Sequence, residues 1–120
     1  MFQIGDGHAA QGDGEVDQTA IETSLRGRLQ RIVRKDMTLT RPRAENKTAY
    51  ITMGMDEDLT KATKIAVQEA VDFIAEHQGL DKHAAYQLAS VAANVANTQL
   101  VDGKVGVHVK MPKRIFVKKK

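Results

Sequence analysis

The chain has no cysteine and no tryptophan, and only two prolines in 120 residues. Absence of cysteine excludes disulfides and any thiol nucleophile, and it fits a reducing compartment. Aromatic residues make up only 4%, and apart from Phe116 none sits within a basic cluster. Nucleic-acid surfaces interleave bases with aromatics or use a known module, so this scarcity argues against a nucleic-acid partner. No apolar run approaches the roughly 20 residues that span a bilayer. The N-terminus also lacks the basic-then-apolar order of a leader. The reading is a cytoplasmic protein with no membrane partner.

Positive charge is missing from one region. Residues 1–25 carry Asp6, Asp13, Glu15, Asp17 and Glu22 and not one Lys or Arg. Bases gather instead between Arg26 and Arg43, and again from Lys110 to Lys120. Solvated strand faces and a soluble tail account for them. An apolar content of 42% with 28% charged residues is ordinary for a globular chain. The length suits a single domain, residues 1–120, with a modest core.

Within this background one stretch is dense in chemistry: Gly5-Asp6-Gly7-His8-Ala9-Ala10-Gln11-Gly12-Asp13-Gly14-Glu15. Glycines at this density suit a tight loop that presents polar side chains. Residues two apart in extended chain point the same way, which pairs Asp6 with His8 and Asp13 with Glu15. Imidazole nitrogen with carboxylate oxygen suits zinc, manganese or calcium. The same carboxylates can act as a general base beside a metal-bound water. Gly/Asp-rich loops are also common as plain surface turns, in which Asp bonds its own backbone. The spacing does not match the calcium-binding loop pattern.

Along the rest of the chain, Phe2 to Ile4 reads as a strand end delivering the loop. Ile21, Leu25, Leu29 and Val33 fall at odd positions, opposite Glu22, Ser24, Arg26, Arg28 and Arg34 at even ones. That alternation predicts one long half-buried strand, or two strands joined near Gly27 at a bulge or a close backbone approach. Pro42 starts a loop. Thr48 to Met53 is strand-like and ends at Gly54. Acids at 56–58 open a helix over 58–77, whose stripe is Leu59, Ala62, Ala66, Ala70, Phe73 and Ile74. His77 reads as a helix-end cation and Gly79 as the C-terminal stop. Leu80-Asp81 caps a second helix through Ala84, Ala85, Leu88 and Val91, followed by small residues over 92–96. Asn94 and Asn97 read as turn or cap residues. Thr98–Val101 and Val105–Met111 form a hairpin around Asp102-Gly103, with His108 as a structural strand residue. The sum is an α+β fold: an antiparallel or mixed β-sheet with a helical hairpin packed on one face.

The run GDGHAAQGDGEV, followed by TAIE, resembles the central motif of the acetamidase/formamidase family. The likeness continues through RPRAE, AYITMGMDEDL, AVQEAVDFIAEHQGL, AAYQLASVAANV, TQLVDG and GVHVKMPKRIF. It covers nearly the whole chain, which looks like the C-terminal part of that family alone. Where the family often has Cys-Gly after GEV, this chain has Asp17-Gln18; where it commonly has Asp, this chain has Asn94, which the resemblance keeps as a candidate catalytic position. The resemblance implies metal-assisted hydrolysis of a small linear amide to carboxylate and ammonia. Zinc is the first choice of ion and calcium the second. It carries over His8, Asp6 and Glu15 as metal ligands, and Glu15, Asp13 and Gln11 as catalytic groups. No other cofactor is expected. The expected partners are a second copy of the chain or a separate polypeptide equivalent to the family's N-terminal half, because truncated sheet edges invite pairing. In isolation the chain is expected to be weakly active or inactive. The alternative is a non-catalytic C-terminal module that keeps the fold and the oligomer interface.

Overall fold

The computed structural model describes Gly7, His8 and residues 22–116. Elements follow the order β1 (Gly7–His8), β2 (Glu22–Thr23), β3 (Arg43–Glu45), β4 (Ala49–Asp56), α1 (Leu59–Gln78), α2 (Lys82–Ala92), β5 (Asn94–Gln99) and β6 (Val105–Pro112), closed by a 3-10 turn at Lys113–Ile115. β3, β4, β6 and β5 form one four-stranded sheet in that spatial order, antiparallel throughout. Both helices pack on one face, giving the α+β architecture that the sequence pattern implies.

Helix α1 begins where an acid can serve its free N–H groups. The Asp58 carboxylate accepts from Lys61 N at 2.7 Å. The helix stops at Gly79, whose left-handed backbone (φ 67°) returns its N–H to Ala75 O. Asp81 caps α2, its Oδ1 accepting from His83 N and Ala84 N, each at 2.9 Å. On α1 the alanine row Ala62, Ala66 and Ala70 is fully buried with Ile74. Because that row is small, the helix backbone settles directly on β4. Thr52, buried in the sheet, donates its hydroxyl to Ala66 O at 3.0 Å. Val107, Val109 and Met111 of β6 complete the core.

Gly54 lies inside β4 and does not end it, since the strand runs on to Asp56. A Cβ placed there would stand 2.2 Å from Ala62 O and 2.5 Å from Ala66 N. The glycine therefore marks the crossing of strand and helix. Leu59 is 41% exposed and not part of the buried stripe; Val71 takes that role, and Phe73 is half-buried. On α2 the buried residues are Ala85 and Ala89, while Val91 is 84% exposed.

Two sheet segments also depart from expectation. The strand predicted across 21–34 reduces to Glu22–Thr23, and residues 24–42 run without helix or strand. Gly27 makes no close approach, with nothing within 4 Å of its Cβ position. Arg43 begins β3 directly after Pro42, where a loop was expected; proline is tolerated at the margin of an edge strand. Asn94 and Asn97 are strand residues, and β5 starts four residues before Thr98. β5 also ends at Gln99, short of the Val101 expected, but the β5–β6 connection turns where the sequence places it: Asp102 (φ 70°) and Gly103 (φ 78°) both adopt the positive φ that a type I′ turn needs. The strand end expected at Phe2–Ile4 lies outside the described residues.

Candidate functional site

Two residues of the polar stretch, Gly7 and His8, stand in a short antiparallel pair. β1 meets β2 with Gly7 opposite Thr23 and His8 opposite Glu22. Leu25 lies against Gly7, its Cδ2 only 2.7 Å from where a Cβ would stand. The backbone thus holds His8 and Glu22 at directly opposed positions, the closest cross-strand neighbours an antiparallel ladder offers. Glu22 is an acid that the loop motif alone did not single out, although it stands in the matched TAIE run. Asp6, Gln11, Asp13 and Glu15 lie outside the described residues, as does the side chain of His8. Among the described residues, no three His, Asp or Glu side chains gather as metal ligands would.

The sheet face turned away from the helices brings other candidates together. The register pairs Asn94 with Lys110, Ala96 with His108, and Met53 with His108. Thr98 Oγ1 lies 2.8 Å from His108 Nδ1. Asn94, Thr98, His108 and Lys110 therefore share one face, beside Ile51 and Met53. Neither Asp nor Glu stands among these positions, so this polar row has hydrogen-bonding capacity without a carboxylate base. A local hydroxyl contact holds His108, in keeping with its reading as a structural residue.

A cleft of about 350 Å³ opens on the other side, lined in part by Met37, Leu39, Arg43, Tyr50, Phe73 and His77. His77 stacks on Phe73 (5.1 Å between centroids, 14° between planes) and meets Tyr50 and Phe116 edge-on at 4.9 and 5.5 Å. Beyond standing at a helix end, then, His77 is the hub of an aromatic cluster. Arg43 lies over Phe73 at 5.6 Å and pairs with Glu69 at 3.4 Å and Glu76 at 3.9 Å. Lys113 lies over Tyr50 at 4.8 Å and bonds Glu45. Each cation thus faces both a ring and an acid, a set in which Arg43 ties β3 to α1 and Lys113 ties the 3-10 turn to β3 and β4. Here the chain has filled its own aromatic cage, and the cleft contains no paired nucleophile and base.

Electrostatics elsewhere are local. Arg34 grips Asp36 with two hydrogen bonds, at 2.8 and 2.6 Å, which hold the Asp36 carboxyl down at about 2. Asp72 is lowered by its bond from Lys82, and Asp81 by the Ala84 N–H that it caps. None of these groups belongs to the loop, the polar row or the cleft. Among the described residues, no helix is long and apolar enough to cross a membrane.

The architecture is similar to part of two solved acetamidase structures. The chain is similar to the acetamidase from Yersinia enterocolitica, at 28% identity and a TM-score of 0.78, across 92% of this chain and 34% of that one. It is also similar in fold to the acetamidase from Bacillus halodurans, at 22% identity and a TM-score of 0.59, across 62% of this chain and 25% of that one. It spans about a third and a quarter of these two proteins. No protein-family model and no curated protein matches it. By motif and by fold the chain resembles the acetamidase/formamidase family.

Proposed function

We propose that the chain is an amidase-type hydrolase unit acting on small linear amides, with its chemistry in the loop from Asp6 to Glu15. The observation that carries this reading is the fold match to the Yersinia acetamidase over 92% of the chain. The donor chemistry of the loop fits a divalent ion, zinc first and calcium second: His8 offers nitrogen, and Asp6 and Glu15 offer oxygen. When bound, such an ion supplies Lewis-acid polarisation at the amide carbonyl. Glu15 or Asp13 accepts a proton from the attacking water, Gln11 orients the amide, and the glycine-rich backbone offers N–H donors to the developing oxyanion.

A catalytic zinc site usually takes three protein ligands and one open position. Catalytic groups must also hold their mutual geometry, because a misplacement of about 1 Å can cost roughly 10²-fold. One loop supplies every acid in the proposal. We therefore place full activity in an assembly, with the remaining groups furnished by a second copy or by a separate polypeptide equivalent to the family's N-terminal half. The competing reading is a non-catalytic module that keeps fold and interface. It is favoured by Asp17-Gln18 and Asn94, which stand where the family often has Cys-Gly and Asp.

Ammonia release from formamide and acetamide separates the two readings. Slow release by the chain, raised by zinc and lost in Glu15→Ala, is the expected result. Release that is the same in wild type and Glu15→Ala would remove the loop from the chemistry, and no release under any condition would leave the non-catalytic module.

A further inference from the structure

The short pair of β1 and β2 closes a loop. Residues 9–21, with Gln11, Asp13 and Glu15 among them, connect His8 to Glu22, and the register sets those two residues directly opposite each other. Directly opposed residues of an antiparallel pair belong to the same face of the ribbon, with Cβ atoms about 4.5–5.5 Å apart. A slip of one residue would reverse that face, and Leu25 gives a separate reading of it. Leu25 follows Thr23 by two residues and lies against Gly7, the partner of Thr23, its Cδ2 2.7 Å from where a Cβ on Gly7 would stand. Gly7, Thr23 and Leu25 thus define one face of the ribbon. His8 and Glu22 belong to the other.

Charge narrows what Glu22 does at that position. Residues 1–25 hold five acids and no Lys or Arg, so His8 is the only basic side chain in the stretch. Arg26, the first arginine in sequence, stands four residues beyond Glu22, about 13 Å along extended chain. An imidazole that ligates a metal almost always donates its other ring N–H to a carboxylate, a carbonyl or water. That second bond fixes the tautomer and the orientation of the ring and raises its basicity as a ligand. A carboxylate and an imidazole at one ladder position meet this requirement. The ladder also holds Glu22 opposite His8 whatever path residues 9–21 take, which is true of none of the loop acids.

We propose that Glu22 is the positioning residue of His8: its carboxylate accepts the imidazole N–H that is turned away from the ion. The inference rests on the functional reading, in which His8 ligates a divalent ion, and gives a role to an acid outside the stretch from Asp6 to Glu15. The ligand set stays His8, Asp6 and Glu15, and Glu22 sets the direction from which His8 enters it.

Calorimetric titration of the full, metal-free chain with zinc tests this without an assay of turnover. Glu22→Ala should weaken zinc binding by about 10–100-fold while still taking one ion per chain. Glu22→Gln keeps an acceptor oxygen and loses the charge, and its affinity should fall between wild type and Glu22→Ala. Thr23→Ala, on the other face of the same ladder, controls for a merely structural effect and should keep the wild-type affinity. Three results would overturn the positioning role and leave the loop as the metal site: wild-type affinity in Glu22→Ala, complete loss of the ion in Glu22→Ala as in His8→Ala, or equal weakening in Thr23→Ala and Glu22→Ala. A wild-type chain that binds no zinc would overturn it together with the functional reading, which keeps the two failures distinct.

Discussion

Placing a methyl group on Gly54 tests the packing on which the fold depends. The new Cβ would lie 2.2 Å from Ala62 O, 2.5 Å from Ala66 N and 3.0 Å from Ile65 Cβ. Non-bonded carbon contacts settle at about 3.5–4.0 Å, so α1 must retreat from β4 by roughly 1 Å. The obstacle is helix backbone, which cannot swing aside as a side-chain terminus would. Retreat loosens the fully buried Ala62, Ala66 and Ala70 together with the Thr52–Ala66 hydrogen bond. Overpacking of this kind costs typically 1–3 kcal/mol and occasionally more. Alanine regains about 0.5–1 kcal/mol of backbone entropy against glycine. With the overpacking cost at the upper end of that range, because the obstacle is backbone, the expected net loss for Gly54→Ala is about 2 kcal/mol, a drop of about 1 M in urea midpoint at the usual slopes for small proteins. Gly27→Ala is the control: nothing lies within 4 Å of its Cβ position, and the effect should stay within about 0.5 kcal/mol. Urea unfolding followed by circular dichroism gives both numbers. A Gly54→Ala midpoint equal to that of Gly27→Ala would refute the direct helix-on-glycine contact.

Phe73→Ala removes the ring that joins Tyr50, His77 and Arg43. Because Phe73 is only half-buried, the expected loss is about 2–4 kcal/mol, at or below the usual range for a core phenylalanine; an unchanged unfolding midpoint would show the cluster to be ornamental. Acid stability should report on Asp72 and Asp81, whose carboxyls are lowered by the Lys82 and Ala84 hydrogen bonds. A lowered carboxyl contributes stability above its unfolded value of about 3.9, and that contribution is lost as pH falls through the folded value. Asp72→Asn with Asp81→Asn should therefore flatten the fall of the urea midpoint below about pH 4, and an identical slope in the double variant would contradict the assignment.

What could be read from the sequence was whatever local chemistry decides. Asp58 and Asp81 cap the helices, Gly79 ends the first, and Asp102-Gly103 turns the last hairpin, because each device works within a few residues of chain. The readings that failed depend on distant partners. Gly54 looked like punctuation and is a crossing point, which only the position of α1 reveals. The alternation around Leu25 and Leu29 specified a buried face, yet no periodicity says which surface covers it. His77 does stand at the helix end as expected, but its contacts with Tyr50, Phe73 and Phe116, from three different elements, could not be read from the helix pattern alone. For the site, the motif named the loop, and the backbone added one acid, Glu22, by placing it opposite His8.

Metal content tests most directly the claim that the loop from Asp6 to Glu15 carries the chemistry. Protein purified without chelator is analysed for bound zinc and calcium, alongside His8→Ala and Glu15→Ala. One divalent ion per chain in the wild type, lost or sharply reduced in both variants, is the predicted result. Equal metal content in all three proteins would take the site out of this loop.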